Sequence, residues 1–387
     1  MTTVNPDKKI RGIALCAIGV EKIVSQELER LDLKSEERKP GQVFFDINEG
    51  NFARDVARAN IGLRTAERVL LELGRFPAPD FDAFYEGVTA LSWELCCFKD
   101  SALRIERVRS HSSNLNAQTT LQSMAQKAAY EHLMQYYRLA TMPASGNEVS
   151  VRIYLEDNEC LIGVDTSGVA LHKRGYRPQG GVAPLKETIA ASLLFFTGWN
   201  RKFALLDPFC GSGTIAIEAA LYALDFAPGL NRRFAFEQMP AVQARPVQDV
   251  RDYFESKIRN DVEVDIRASD IDPEVLSVAK KCARAAGVED WITFEQKKAE
   301  DAEPFRVGKG ILLTNPPYGK RLGTVEDAKV LYGGLKDMGD RFVAAGWGMG
   351  FITEMEEFGE YFGRTAEIRH HLINGAEDQW FHWYPAP

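Results

Sequence analysis

Two short strings in the second half of the chain hold residue types that could do chemistry together. They are Asp207-Pro208-Phe209-Cys210-Gly211-Ser212-Gly213-Thr214 and Asn315-Pro316-Pro317-Tyr318. In the first, Gly211 and Gly213 let the backbone turn tightly and approach a ligand that a Cβ would exclude. Asp207, ahead of the glycines, can accept a hydrogen bond from a ligand ammonium. In the second, Pro316 and Pro317 cannot continue a strand ladder and restrict the dihedral freedom of the turn. That rigidity aims the Asn315 side-chain oxygen and the Pro316 carbonyl at one point. An exocyclic amine on a nucleobase is a poor nucleophile because its lone pair is conjugated into the ring. Two acceptors gripping its hydrogens favour a pyramidal nitrogen and direct the lone pair at a methyl sulfonium. The gain is one of orientation and electrostatics rather than of a strong base. Tyr318 can stack on the base plane, as aromatic side chains do with splayed-out nucleotides.

The glycine string is not a dinucleotide fingerprint, since Ala216 stands where GxGxxG has its third glycine, and a phosphate loop would need Lys where Gly213 stands. Asp270, in Ser269-Asp270-Ile271-Asp272, can take both ribose hydroxyls of a nucleoside ligand. It follows Asp207 by 63 residues, too far for a simple βαβ unit, so a segment from about Asp225 to Arg259 reads as an insertion. Asp301, just after the ITFEQ segment, can accept from an adenine amino group, in competition with Glu300 and Glu303.

The elements that must position these residues alternate strand and helix in the manner of a parallel sheet. FALLD (203–207), VDIRASD (264–270), GILLT (310–314) and GMGFIT (348–353) read as strands, and Thr214 to Leu224 as a helix. Asp272 is placed to cap a helix with Pro273 at its first position and Gly287 after its last turn. The tail, IRHHLINGAEDQWFHWY, reads as a hairpin around Asn374-Gly375, its aromatics packing an edge strand. The expected class is α/β, a mostly parallel doubly wound sheet ending in an antiparallel hairpin, with ligand beyond the carboxyl ends of its strands. The first half reads as α+β: strands GIALCAIG and QVFFDI, a helix capped by Asn51, strands VLLELGRF and SALRIERVRS, a helix over Gln118–Tyr137, and a hairpin at Glu156-Asp157-Asn158-Glu159.

With 387 residues, 45% hydrophobic and 26% charged, the chain has the composition of a globular protein of more than one domain. No run approaches the roughly 20 apolar residues of a membrane helix, and the N-terminus lacks the apolar core of a secretory signal. The six cysteines show no zinc spacing and suit free thiols in a reducing cytoplasm. The other histidines pair with nothing that suggests a metal or a triad. The net charge of −8 divides unevenly: residues 1–180 carry 23 Lys+Arg against 24 Asp+Glu, and residues 181–387 carry 24 against 31. The first half is therefore the more plausible dock for an anion. Lys173, Arg174 and Arg177, with His172 and Tyr176, form the densest basic and aromatic cluster. Lys320-Arg321 could steady a phosphate beside a flipped base. Arg104, Arg107 and Arg109 lie along one strand, with Arg104 off the even register of the other two.

These strings resemble those of amino-methyltransferases with an (Asn/Asp)-Pro-Pro-(Tyr/Phe) motif. Over nearly its full length the chain is similar to the THUMP-domain RNA methyltransferases, especially the large-subunit rRNA guanine-N2 methyltransferases. HKRGYRPQGGVAPLKETIAASLL (172–194), DPFCGSGTIAIEAA (207–220), SDID (269–272) and LLTNPPYGKRLG (312–323) carry the resemblance. It implies a ferredoxin-like segment over 1–65, a THUMP RNA-binding domain over 66–170 and a Rossmann-like class I methyltransferase domain over 171–387. It also implies S-adenosylmethionine as cofactor, with Asp207, Gly211, Ser212 and Gly213 at its methionine part and Pro184 and Leu185 nearby. Asp270 would bind the ribose and Asp301 would sit at the adenine, with Ile271 a further cofactor contact. Asn315, Pro316, Pro317 and Tyr318 would hold the guanine amino group. The implied partner is RNA, 23S rRNA or a large-subunit precursor foremost and tRNA next, contacted by Lys173, Arg174, Arg177, Lys320 and Arg321 in the cytoplasm. DNA adenine-N6 methylation shares the motif, and neither a metal nor a membrane is implied.

Overall fold

The computed structural model describes residues 9–177, 185–317, 324–374 and 377–387. The first half is built on one seven-stranded sheet: β1 (Lys9–Leu15), β2 (Ser35–Lys39), β3 (Gln42–Asn48), β4 (Arg68–Pro77), β5 (Ala102–His111), β6 (Glu148–Glu156) and β7 (Glu159–Asp165). Their order is β2-β3-β1-β4-β7-β6-β5. Four helices, α1 (Glu21–Arg30), α2 (Phe52–Gly62), α3 (Phe81–Thr89) and α4 (Gln118–Tyr137), accompany it. The period-2 alternation of β6 decides which side they cover: Val149, Val151, Ile153 and Leu155 are buried in one core with Leu121, Ala125 and Leu133 of α4. β4 pairs with β1, so the segments expected to divide at 65/66 share a continuous sheet. The β6–β7 turn places Asp157 and Asn158 at φ +51° and +63°, the positive values a two-residue hairpin needs. Asn51 makes no capping bond; the Asn48 side chain, which accepts the Gly50 amide at 2.8 Å, caps the turn before α2 instead.

The second half runs α5 (Glu187–Phe196), β8 (Ala204–Asp207), α6 (Thr214–Ala223), α7 (Ala244–Ser256), β9 (Ile266–Asp270), α8 (Pro273–Ala285), β10 (Ile292–Gln296), β11 (Gly310–Thr314), α9 (Val325–Gly334), α10 (Lys336–Ala344), β12 (Gly348–Thr353), α11 (Phe358–Phe362), β13 (Ile368–Asn374) and β14 (Glu377–Tyr384). The sheet order is β10-β9-β8-β11-β12-β14-β13, parallel from β10 to β12 and antiparallel through β14 and β13. Strand order reverses between β8 and β11, the switch point at which such sheets open a crevice. Asp272 accepts the Glu274 amide at 2.8 Å, and Gly287 adopts φ +73° past the end of α8. The tail aromatics are packed, but not on an edge. β14 lies between β12 and β13, and Phe381, Trp383 and Tyr384 are buried there. No described helix is long and apolar enough to cross a membrane.

The long spacing between Asp207 and Asp270 has a structural use. The inserted segment turns back on the first half, where the Gly229 amide donates to the Ile61 carbonyl at 2.9 Å and the Phe236 amide to Thr166 at 2.9 Å. Phe254 of α7 packs over Gly62, where a Cβ would come within 2.9 Å of its ring. Arg232 of the inserted segment reaches the chain just after β7, donating to the Leu171 carbonyl at 3.0 Å and to the Val169 carbonyl at 2.6 Å. A further bridge joins Ile18 to Ile373 of β13. The two halves thereby share a continuous core.

Candidate active site

The switch point is organised by Asp207, the last residue of β8. Its carboxylate accepts the Thr314 hydroxyl at 2.6 Å and the Phe209 amide at 3.3 Å. Burial pushes its pKa up to about 7, against the lowering effect of those two donors, and the neighbouring Asp270 charge adds to the rise. The loop that follows is held by backbone bonds: the Cys210 amide donates to Ser269 at 2.9 Å and the Gly211 amide to the Asp270 carboxylate at 3.0 Å. Gly211 and Gly213 take φ +54° and +81°, a region closed to most side chains. A Cβ on Gly211 would meet nothing within 4 Å, whereas one on Gly213 would lie 3.3 Å from Ala279 of α8. The first glycine therefore leaves open space beside the loop, and the second lets α6 pack.

Asn315 follows directly on β11. Its side-chain oxygen is buried and has no hydrogen-bond partner among the described residues. A buried acceptor left unpaired costs about 1–3 kcal/mol, a cost that native structures keep at sites serving a ligand. Pro316 is buried, and the Pro317 carbonyl accepts the Tyr332 hydroxyl at 3.3 Å, which also lies 3.2 Å from the Thr353 hydroxyl. Tyr332 of α9 thus braces the proline turn against β12. Tyr318, Lys320 and Arg321 lie outside the described residues, as does Pro184.

The other expected ligand-facing residues divide. Asp270 accepts one amide on each oxygen, from Gly211 and, at 3.1 Å, from Asp272, which leaves one lone pair on each for a ligand hydroxyl. Ile271 next to it is 59% exposed, unusual for a large apolar side chain at the end of a strand. Ser212 lies 3.4 Å from the Thr214 hydroxyl, and Leu185 is buried with its carbonyl accepting from Arg177 at 3.4 Å. Asp301 is exposed in a single helical turn after β10, while Glu303 is taken by Arg341 at 2.8 Å.

Two expected RNA contacts require correction. Arg174 is buried, donating to Leu171 at 2.7 Å and to the Arg64 carbonyl, with Nε 3.6 Å from Glu218. Tyr176 is buried beside it, its hydroxyl donating to Glu218 at 3.2 Å. Arg177 is paired with Glu187 at 3.3 Å and donates to the Thr214 hydroxyl at 2.7 Å. Both guanidiniums are engaged by internal acceptors; Arg174 is buried, and Arg177 is only partly exposed. Within the described part of the cluster only Lys173 stays exposed. Arg177 is instead a support of the glycine loop, because Thr214 is the first residue of α6. Sequence reasoning also missed Thr314; its one signal is a hydroxyl ending an otherwise apolar buried strand.

Comparisons with known proteins bear on the family and the fold. A family model described as RMKL-like, methyltransferase domain matches residues 174–379, and one described as the RlmL ferredoxin-like domain matches residues 12–70. The chain is 36% identical over 371 residues to a Bacillus subtilis (strain 168) protein named putative RNA methyltransferase YpsC, covering 95% of this chain and 94% of that one. It is 32% identical over 378 residues to the ribosomal RNA large subunit methyltransferase K/L of Cellvibrio japonicus, covering 94% of this chain but 49% of that protein. The chain thus spans about half the length of the K/L relative. Among solved structures, a putative methyltransferase, SMU.472, complexed with SAH, superposes with a TM-score of 0.89 at 32% identity, covering 98% of this chain and 99% of that one. The open Gly211 backbone beside a buried carboxylate would suit a ligand of the kind that this neighbour holds.

Proposed function

Because the chain belongs to the family of RMKL-like methyltransferase domains, we propose that it methylates RNA, at the exocyclic N2 amino group of a guanine, in 23S rRNA or a large-subunit precursor. The observation that carries the reading is the buried, unpartnered Asn315 oxygen at the end of β11, next to the residue that bonds Asp207. The names of the relatives support RNA as the substrate, and such a substrate would place the chain in the cytoplasm.

When bound, S-adenosylmethionine supplies an electrophilic methyl group on a sulfonium. Asp207 receives the ammonium of its methionine part, and Gly211 lets the backbone close on it while Gly213 seats α6 against α8. Ser212 and Leu185 lie beside this part, while Asp270 offers its free lone pairs to the ribose hydroxyls. Ile271 and Asp301 flank the adenine. Asn315 Oδ1 and the Pro316 carbonyl accept the two amino hydrogens of guanine, which holds the nitrogen pyramidal with its lone pair directed along the transfer axis. Rate then comes from orientation and preorganised acceptors. Pro317 and Tyr332 keep the turn from relaxing away from that geometry. Lys173, exposed near the junction of the halves, contributes to RNA binding.

The test is to incubate the protein with methyl-labelled cofactor and, separately, naked 23S rRNA, large-subunit particles, tRNA and duplex DNA, then to digest the products to nucleosides. Label in N2-methylguanosine of rRNA is the expected result. The same nucleoside in tRNA would move the substrate, and label in N6-methyladenine of DNA would overturn the reading.

A further inference from the structure

The two faces of the first sheet are unlike. Helices α1 to α4 pack on the face that carries Val43, Phe45, Val149 and Val151. On the opposite face Ile13, Phe44, Leu70 and Leu161 form a small apolar cluster. Its covering is guanidinium: Arg11 and Arg75 lie 4.6 and 5.6 Å from the centre of the Phe44 ring.

The edge strand β5 adds to this face in a way that its sequence hides. A bulge after Ile105 makes Ile105 oppose Val151 but Arg107 oppose Arg152, so Glu106 is the extra residue. Arg104, opposite Ser150, then falls on the same side as Arg107 and Arg109, opposite Arg152 and Tyr154. The apparent register error of Arg104 is what the bulge corrects, and the three arginines form one exposed row on the open face.

Pairing within this row is selective. Arg104 is matched by Glu148 at 3.5 Å and Arg152 by Glu106 at 3.3 Å. Lys39 is matched by Glu156 at 2.8 Å and Arg75 by Glu159 at 3.3 Å. Arg107 and Arg109 have no ion pair among the described residues. Beside Arg109 lies a cavity of about 440 Å3 lined by Phe44, Tyr154 and Leu161, by Lys39, Arg75, Arg109 and His111, and by Glu156 and Glu159, the two carboxylates that Lys39 and Arg75 neutralise. That volume is in the ~300–1,000 Å3 range of small-ligand sites.

We propose that this open face binds a single-stranded segment of RNA, with Arg107 and Arg109 holding backbone phosphates and one base lodged in the cavity against Tyr154. Unpaired guanidiniums present the donor fork that phosphate oxygens match. Cations beside an aromatic-lined hollow are the arrangement that reads unstacked nucleotides without demanding a sequence. A duplex would satisfy the arginines but offer no base to the cavity, and an acidic peptide would leave the aromatic lining unused. The inference rests on the reading that the substrate is RNA.

The experiment uses the full chain and a fluorescent single-stranded RNA of roughly 12 nucleotides, with a duplex of the same length as the second probe. Arg107→Glu with Arg109→Glu is expected to weaken single-strand binding by about tenfold or more and to reduce the salt slope by about 1.4, the share of two phosphates. Tyr154→Ala should weaken it roughly 5- to 100-fold. Arg107→Lys with Arg109→Lys should recover most of the affinity, and cofactor affinity should not change in any variant. In methyl transfer the double Glu variant should raise KM for RNA and keep kcat. An affinity of that variant within about twofold of the unaltered chain together with an unchanged salt slope would overturn the proposal, as would a loss in Tyr154→Ala as large on the duplex as on the single strand. Failure of the methylation reading would look different: label in another substrate, with the binding losses intact.

Discussion

The Thr314 hydroxyl donates to the Asp207 carboxylate at 2.6 Å, joining residues 107 positions apart. Thr314 ends β11 and immediately precedes Asn315; Asp207 ends β8 and heads the glycine loop. The same hydroxyl oxygen accepts the Phe209 amide at 3.3 Å. One side chain therefore sets the height of the proline turn relative to the glycine loop, across the two strands that flank the switch point. In-line transfer depends on that relative height, because misplacement by about 1 Å costs on the order of a hundredfold in rate.

The Asp207 charge gives a pH prediction. Its pKa in the folded chain is about 7, above the ordinary 3.8, chiefly through burial. The proton is thus held in the folded state. The stability this group contributes is fully present below its unfolded pKa and is lost as pH rises to about 7. Cofactor binding runs the opposite way, since an ammonium prefers the carboxylate. Affinity for S-adenosylmethionine, measured by calorimetry, should rise by up to roughly tenfold per pH unit on the acid side of 7. Asp207→Asn should flatten the profile, and Thr314→Val, which removes a donor that lowers the pKa, should move its midpoint upward. A flat profile in the unaltered chain would remove Asp207 from the ammonium site.

Asn315→Ala separates activity from stability. Loss of one preorganised acceptor should lower kcat by about 10²–10³ while cofactor affinity stays within a few-fold. The Asn315 oxygen has no partner among the described residues, so its removal should leave the thermal midpoint unchanged or raised. A variant that is inactive because it is unfolded would show a lowered midpoint and lost cofactor binding together, the opposite pattern.

How much of this was readable in advance depended on the range of the physics. Local rules placed the Asp272-Pro273 start of α8, the hairpin at Asp157-Asn158 and the full span of α4. They also picked out both glycines and Asn315, whose residue types carry their own chemistry. β2 was invisible because Ser35–Lys39 is an edge strand of polar residues with no alternation to detect. The joining of β1 to β4 rests on pairing between distant segments, which no local pattern encodes. Arg174 and Arg177 were misread for a related reason. A run of cations looks solvated in sequence, and only the fold brings Glu218 and Glu187 to meet it.

Arg174 makes that last point testable. Its side chain is 3% exposed and that of Glu218 is fully buried, so truncating one partner leaves the other as an uncompensated charge. Arg174→Ala should destabilise the chain by about 3–5 kcal/mol in denaturant unfolding. Glu218→Gln in the same background should recover part of that loss. Lys173→Glu, one residue away but exposed, should leave stability unchanged and weaken RNA binding. Equal stability of Arg174→Ala and the unaltered chain would restore Arg174 as a candidate surface contact.

The two glycines of the loop should respond differently to the same small change. Gly213→Ala places a Cβ 3.3 Å from Ala279 at a φ of +81°, so both strain and packing against α8 are felt. The left-handed conformation alone costs an alanine about 1–2 kcal/mol, and the variant should unfold earlier with or without cofactor. Gly211→Ala pays the conformational cost at φ +54°, but its Cβ meets nothing within 4 Å. Its stability without cofactor should fall by only about 1 kcal/mol. Its affinity for S-adenosylmethionine should fall much further, by tenfold for each ~1.4 kcal/mol of binding free energy that the added methyl group removes. The decisive measurement is the gain in thermal midpoint on adding cofactor: nearly abolished for Gly211→Ala, largely kept for Gly213→Ala. Equal gains in the two variants would mean that the open side of Gly211 does not face the cofactor.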